Sequence, residues 1–201
     1  MSDPDLAALA VDPRIALLFL AWGFAEATAA PIVPDVGIGF LALATPAALG
    51  LPLASAIAGG VLGALALVVL RQRRPDVVDR ILALQPGLGA TGMADARVRI
   101  AKRGGSAIGQ VGPGLPLKAY VVAYLHDRPG TGFVEIAGLA FLNRLTRIVP
   151  IVAAFALVGY LARPLDLRAG PVALVYALGW VFFYAAFWWV RRPGDRPYEH
   201  L

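Results

Sequence analysis

The longest stretch of the sequence without a charged residue runs from Val36 to Leu70, and it limits the folds open to this chain. At 1.5 Å per residue, one helix over this stretch would extend about 52 Å, well beyond the roughly 30 Å hydrocarbon core of a bilayer. Two full crossings need about 40 residues, more than the stretch contains. Because Pro46 and Pro52 interrupt it, the sequence predicts a re-entrant half-helix over 31–50 and a full span over 52–70.

The remaining apolar segments extend this pattern to most of the chain. Hydrophobic residues make up 59% of the sequence and charged residues 15%, against about 45–50% and a quarter in soluble domains. Further helices of membrane character are predicted over 15–30, 141–161 and 171–190. Acidic residues precede the first of them, so we expect a retained helix there rather than a secretory signal. The expected fold is all-α and polytopic, with about four transmembrane spans.

The segment 104–125 has the length of a span but is rich in glycine and proline and contains Lys118. If it crossed the membrane, Arg191 and Arg192 would lie on the side opposite the basic segment 71–103. The positive-inside rule favours a second re-entrant hairpin over 104–125, which keeps both basic regions and both termini in the cytoplasm. The protein is then expected to be a multi-pass protein of the cell (inner) membrane.

The segment 71–103 is predicted to be a cytoplasmic loop. It carries eight basic residues: Arg71, Arg73, Arg74, Arg80, Arg97, Arg99, Lys102 and Arg103. No aromatic residue is interleaved with them to stack on a base, so nucleic acid is not the expected partner. We expect the loop to face the anionic lipid headgroups of the cytoplasmic leaflet.

Several chemistries lack their usual residues. The sequence has no cysteine and only two histidines, so neither a thiolate nor an imidazole metal site is expected. It contains neither a G-x-S-x-G motif nor a P-loop. A G-x-G-x-x-G runs from Gly87 to Gly92, but only 81–84 offers a preceding strand, and no acidic residue follows at the required distance. We therefore predict a loop there, and we expect no cofactor and no catalytic residue.

Two carboxylates at membrane depth are the strongest functional signal. Glu26 and Asp35 are separated by a segment that contains Pro31 and Pro34. Ionisable residues in a membrane are costly and by default indicate a functional site. Two hairpins entering from opposite faces would bring both carboxylates and Lys118 near the midplane, where they could receive a polar headgroup or an ion. Alternatively, Asp35 simply caps the half-helix that follows it.

A second candidate feature is the pair Arg144 and Arg147, which lie three residues apart on one helix face. At the start of the helix predicted over 141–161, they could bind a lipid phosphate at the cytoplasmic rim. The alternative is that both side chains snorkel to the interface.

The spacing of Glu26, Pro31, Pro34 and Asp35 resembles the first re-entrant motif of the DedA family, also called the VTT or SNARE-associated Golgi protein superfamily. The resemblance covers about residues 24–161. The segment 104–118 occupies the place of the family's second re-entrant motif, and Gly159–Tyr160 occupies the place of its late Gly-Tyr pair.

This resemblance implies a membrane lipid transporter or scramblase, since members of the family include proteins linked to proton-coupled movement of lipid phosphates. It would make Glu26 and Asp35 the counterparts of the family's acidic residues. The second motif of the family sets two arginines around a proline. Here Gln110 or Pro113 stands at the first position and Lys118 is the cation nearest to the second, and lysine lacks the bidentate geometry of arginine.

The leading expectation is a non-enzymatic transporter, flippase or scramblase of a polar lipid or small solute, proton-coupled through Glu26 and Asp35. Its candidate binding residues also include Gln110, Lys118, Arg144 and Arg147. The alternative is a structural or assembly protein in which a buried Glu26–Lys118 pair fixes the packing. A membrane-bound lipid-modifying enzyme is a third option. Access of water to Glu26 separates the first two classes.

Overall fold

The computed structural model describes residues 4–108, 116–162, 164 and 169–190, and over these ranges the protein is all-α, as predicted. No strand occurs in this part of the chain. Its helices are α1 (Pro4–Ala10), α2 (Pro13–Thr28), α3 (Asp35–Ala44), α4 (Gly50–Arg73), α5 (Pro75–Ala83), α6 (Ala90–Arg103), α7 (Leu117–Asp127), α8 (Phe133–Ala162) and α9 (Ala169–Val190), with 3-10 turns at Pro46–Ala48 and Gly104–Ala107.

Three of these helices, α4, α8 and α9, are long and apolar enough to cross a membrane. This supports a membrane protein, as the composition predicts. The segment predicted as a span over 15–30 is α2, which has 16 residues and a length of about 24 Å. A total of four spans stays a prediction.

The helices α2 and α3 form a hairpin, which we call the first hairpin. Gly59 of α4 lies against Leu20 of α2, and Gly63 lies against Phe24, so the residue numbers rise together along the two helices. Because α2 and α4 therefore run in the same direction, α3 has to return the chain between them. The turn at 29–34 is the tip of this hairpin. The re-entrant element predicted over 31–50 corresponds to its second arm.

Four helices pack side by side as a ring around the site described below. The helix α2 packs against α4, α4 against α8, and α8 against α3. Phe19 of α2 lies against Gly37 of α3 and closes the ring. The helix α8 runs parallel to α3, since Arg147 pairs with Asp35 and Gly159 packs against the backbone of Leu43.

The segment 71–103, predicted to be a loop, is mostly helical. The helix α4 continues to Arg73, α5 begins directly afterwards at Pro75, and α6 ends at Arg103. Met93, Ala96 and Ile100 recur at helical spacing and are buried. The many charged residues of this segment favoured a loop prediction, although its apolar residues recur at the spacing of a helix.

The helices α6 and α7 are the arms of a second hairpin. Arg97 of α6 lies 3.5 Å from Asp127 at the far end of α7, so the two helices run in opposite directions. Every residue of α7 from Leu117 to Leu125 is buried. The segment 109–115, which contains most of the glycine and proline residues of the hairpin predicted over 104–125 and also Gln110, lies outside the described residues.

The apolar core consists of two clusters, and each is centred on one hairpin, although Ala27 at the end of α2 belongs to the cluster of the second hairpin. The first hairpin packs with α1, the beginning of α4 and the second half of α8. The second hairpin packs with α5, the end of α4 and the first half of α8. On α8 the boundary falls between Ala140 and Ile148, the nearest buried members of the two clusters. The polar residues of that interval form the candidate site.

Candidate functional site

Five charged side chains meet between the two apolar clusters, and we call them the charge layer: Glu26, Asp35, Lys118, Arg144 and Arg147. The exposed fraction is 1% for Glu26, Asp35 and Lys118 and 0% for Arg144. Only Arg147 is partly accessible, with 30% of its side chain exposed. Two carboxylates and three cations leave one formal positive charge in this layer. The structure thus brings together all the sequence-predicted site residues that it describes.

The tip of the first hairpin positions both carboxylates. Glu26 lies in the last turn of α2, and Asp35 is the first residue of α3. The helix α3 has no side-chain cap, so the alternative that Asp35 serves only as a helix cap is wrong. Its carboxylate Oδ2 instead accepts a hydrogen bond from Nε of Arg147, at 3.0 Å.

The two arginines come from the middle of α8. Arg144 donates to the carboxylate of Glu26, and Nη1 of Arg147 lies 3.8 Å from Oε1 of the same carboxylate. Both the phosphate site at the cytoplasmic rim and the snorkelling alternative are therefore wrong. The reason is that α8 begins at Phe133, which places Arg144 about 17 Å along the helix rather than in its first turns.

Lys118 has a different partner from the one expected. Its Nζ donates to the backbone oxygens of Glu26, at 3.0 Å, and Ala30, at 2.8 Å. The predicted Glu26–Lys118 side-chain pair is thus wrong. A cation at a helix C-terminus satisfies carbonyls that have no partner within the helix and interacts favourably with the helix dipole. Lys118 therefore joins the start of α7 to the end of α2.

Gln85 is a member of the site that the sequence analysis missed. Its side chain is buried and donates to the backbone oxygen of Ala29, at the tip of the first hairpin. Gln85 precedes the turn at Gly87, whose φ of 75° favours glycine. The G-x-G-x-x-G motif follows a helix, since α5 ends at Ala83, and so lacks the strand that a dinucleotide site requires. No periodicity or charge in the sequence marks Gln85 as buried.

The substitution Gln85→Leu is expected to lower the free energy of unfolding by about 1–3 kcal/mol, because it leaves the buried oxygen of Ala29 without its donor. Thermal unfolding of the purified protein in detergent measures this loss. Gln72→Leu is the matched control, since Gln72 is exposed on α4. Equal melting temperatures for the two variants would show that the contact of Gln85 contributes no stability.

Several buried polar atoms of the layer have no hydrogen-bond partner among the described residues. They are Asp35 Oδ1, Asn143 Oδ1, Arg144 Nε and Arg144 Nη1. Arg144 lies against Gly60 of α4, where any larger residue would occupy the place of its guanidinium. Leaving buried polar groups unpaired costs about 1–3 kcal/mol each. The layer can therefore offer hydrogen-bond donors and acceptors to a ligand that carries both kinds of group.

The helix α9 forms an outer wall of the layer through two tyrosines. The hydroxyl of Tyr184 accepts a hydrogen bond from the backbone N–H of Val33, at 3.0 Å. The hydroxyl of Tyr176 donates to the backbone oxygen of Val36, at 2.6 Å. The sequence predicts only a helix of membrane character over 171–190, because tyrosine in an apolar helix is no sign of a polar contact.

Metal ligands are not grouped here: among the described residues, no three His, Cys, Asp or Glu side chains lie together in a way that could hold an ion. No protein-family model, curated protein or solved structure matches the chain. The residues of the charge layer are therefore the basis for assigning a function.

Proposed function

We propose that the protein is a membrane transporter, flippase or scramblase that passes a polar headgroup or small anionic solute through the charge layer. The observation that carries this proposal is Arg144, which is fully buried and paired with Glu26, yet has two guanidinium nitrogens, Nε and Nη1, with no hydrogen-bond partner in the part of the chain that the structure describes. Burying a charge costs several kcal/mol, and ionisable residues at membrane depth are found where substrates and protons pass. The net positive charge of the layer suits an anionic group.

In this proposal the ion pairs of the layer exchange partners with the substrate. An anionic oxygen accepts hydrogen bonds from Nε and Nη1 of Arg144, and Glu26 takes up a proton when its arginine turns to the substrate. Asp35 and Arg147 form the second pair that can open in this way. The hydrocarbon tails of a lipid substrate stay in the bilayer. Each hairpin packs mainly in its own apolar cluster, and in this proposal the two move against each other and expose the layer to either side.

The proposal extends to family and location. It agrees with the resemblance of the first hairpin to the DedA family, with the difference that α8 supplies the guanidinium groups in place of the second hairpin. We place the protein in the inner cell membrane with the basic segment 71–103 and the C-terminus in the cytoplasm. The basic residues of α5 and α6 then face anionic lipid headgroups.

The variant Glu26→Gln is expected to slow transport at least tenfold, because it removes the titrating group and weakens the hold on Arg144. The measurement is movement of a fluorescent anionic phospholipid and of inorganic phosphate across reconstituted vesicles, with a pH gradient and without one. Glu26→Asp should retain part of the rate, since it keeps the charge.

Asp95→Asn provides the control, because Asp95 is exposed on α6, a helix that contributes no residue to the charge layer. It should transport at the parental rate. The amount of folded protein is measured for each variant by size-exclusion chromatography. A folded Glu26→Gln protein with the full rate would remove this carboxylate from the mechanism.

One observation favours the competing function, a structural or assembly protein. Four of the five charged side chains are at most 1% exposed, and the closest pairs bond directly. Buried ion pairs can specify packing without a role in transport. Replacing Glu26 and Arg144 together by apolar residues separates a role of this ion pair in transport from a role in packing alone.

A further inference from the structure

The helix α9 is the wall of the site with the least packing. None of its described side chains is buried, whereas α4 buries nine residues. It packs mainly against α3, and the ring of Tyr176 also meets Phe155 of α8, with centroids 5.3 Å apart. An element with so little burial can separate from its neighbours at low cost.

Two hydrogen bonds hold α9 to the tip of the first hairpin. They join Tyr184 to Val33 and Tyr176 to Val36, the backbone groups on either side of Asp35. Two hydroxyl groups of α9 therefore bond to the backbone on either side of Asp35.

The charge layer reaches the surface at a residue close to α9. Arg147 is its only partly exposed member. Tyr184 lies close enough to Arg147 and Asp35 to interact with them electrostatically. A headgroup that entered between α9 and the first hairpin would meet Arg147 first. Arg144 lies one helical turn away on α8 and would be reached next.

We propose that α9 is a lateral gate and that the hydroxyls of Tyr176 and Tyr184 are its latch. When the latch opens, an anionic headgroup passes from the bilayer to Arg147 while its tails remain in lipid. The nature of the cargo rests on the function proposed above, but the movement of α9 does not. The first experiment therefore measures the movement without transport.

Spin labels report the position of α9 directly. The chain has no native cysteine, so spin labels attach only to introduced cysteines. The variant Leu62→Cys/Leu178→Cys carries one label on α4 and one on α9, and both positions are exposed. In lipid nanodiscs the parental protein should give one distance. Tyr176→Phe/Tyr184→Phe keeps the rings and removes the hydroxyls, and it should add a longer distance by shifting the opening equilibrium about tenfold.

Phe182→Leu is the control, since Phe182 is exposed on α9 and takes no part in the latch. It should give the single parental distance. If the double tyrosine variant also shows the parental distribution alone, the gate is refuted, whatever the protein transports.

The second test measures transport in one variant, in which the gate can be locked and then released. The rings of Phe40 and Tyr176 lie 5.7 Å apart, so Phe40→Cys/Tyr176→Cys can be joined by a short bis-methanethiosulfonate linker. Movement of the fluorescent anionic phospholipid should stop when the linker is in place and return when dithiothreitol cleaves it. Each single cysteine treated in the same way should keep its rate.

The outcomes separate the gate from the proposed function. A longer spin-label distance without transport by any form of the protein would support the gate and overturn the function. Phospholipid movement that continues in the fully linked protein would overturn the gate and leave the function standing. If the link blocks phospholipid but not inorganic phosphate, lateral passage of lipid headgroups is confirmed. If it blocks phosphate alone, the lateral path is wrong.

Discussion

The double variant Glu26→Leu/Arg144→Met is expected to fold about as stably as the parent and to transport nothing. These two residues form the most deeply buried ion pair of the layer. Replacing a buried pair by apolar residues of similar volume is often neutral or stabilising, because neither charge then has to be desolvated. A transporter would lose the groups that hold its substrate, whereas a structural protein would lose nothing essential.

The single substitutions should behave differently. Glu26→Leu or Arg144→Met alone leaves one buried charge without its partner, which costs about 3–5 kcal/mol. Thermal unfolding in detergent and phospholipid movement in vesicles measure the two properties. Parental transport by the folded double variant would show that this ion pair serves packing alone.

The second large effect is expected at the contact between α2 and α4. A Cβ atom on Gly59 would collide with the backbone of Leu20, and backbone atoms cannot move aside as a side-chain end can. Gly59→Ala should therefore force the two helices apart and cost about 3 kcal/mol. The loss would appear as a lower melting temperature and a smaller yield of folded protein.

Gly179→Ala is the control because nothing lies within 4 Å of the position where its Cβ would be. Alanine is also the better helix former, by about 1 kcal/mol. This variant should be as stable as the parent or slightly more stable. An equally stable Gly59→Ala protein would contradict the close parallel packing of α2 and α4.

The sequence was informative where one residue carries a rare property. Glu26 and Asp35 stand out because carboxylates are costly among apolar neighbours, and Lys118 stands out in the same way. The all-α fold follows from long apolar stretches without turn signals. The boundary between the elements predicted over 15–30 and 31–50 falls at the turn that contains Pro31 and Pro34, because proline and the residue before it resist helical continuation.

The sequence was uninformative where the role of a residue depends on a distant partner. No feature of the neighbouring sequence shows that α8 begins at Phe133. Because it begins there, Arg144 and Arg147 lie in the middle of the helix and in the charge layer. Gln85 and Tyr176 are ordinary residues whose hydrogen bonds arise only when separate helices meet. The predicted Glu26–Lys118 pair failed for the same reason, since opposite charge alone does not determine which atom of a neighbour is bonded.

The parallel course of α2 and α4 also bears on how the chain enters a membrane during synthesis. Because α3 returns the chain toward the level at which α2 begins, we expect the first hairpin to add no net crossing. The helix α4 is then the first segment to fix the orientation of the protein, and Arg71, Arg73 and Arg74 lie at its C-terminal end. Until Arg144 has been synthesised, Glu26 lacks the partner that makes its burial tolerable. We therefore expect the first hairpin to stay at the membrane–water interface until α8 has been synthesised and to take its final position only then.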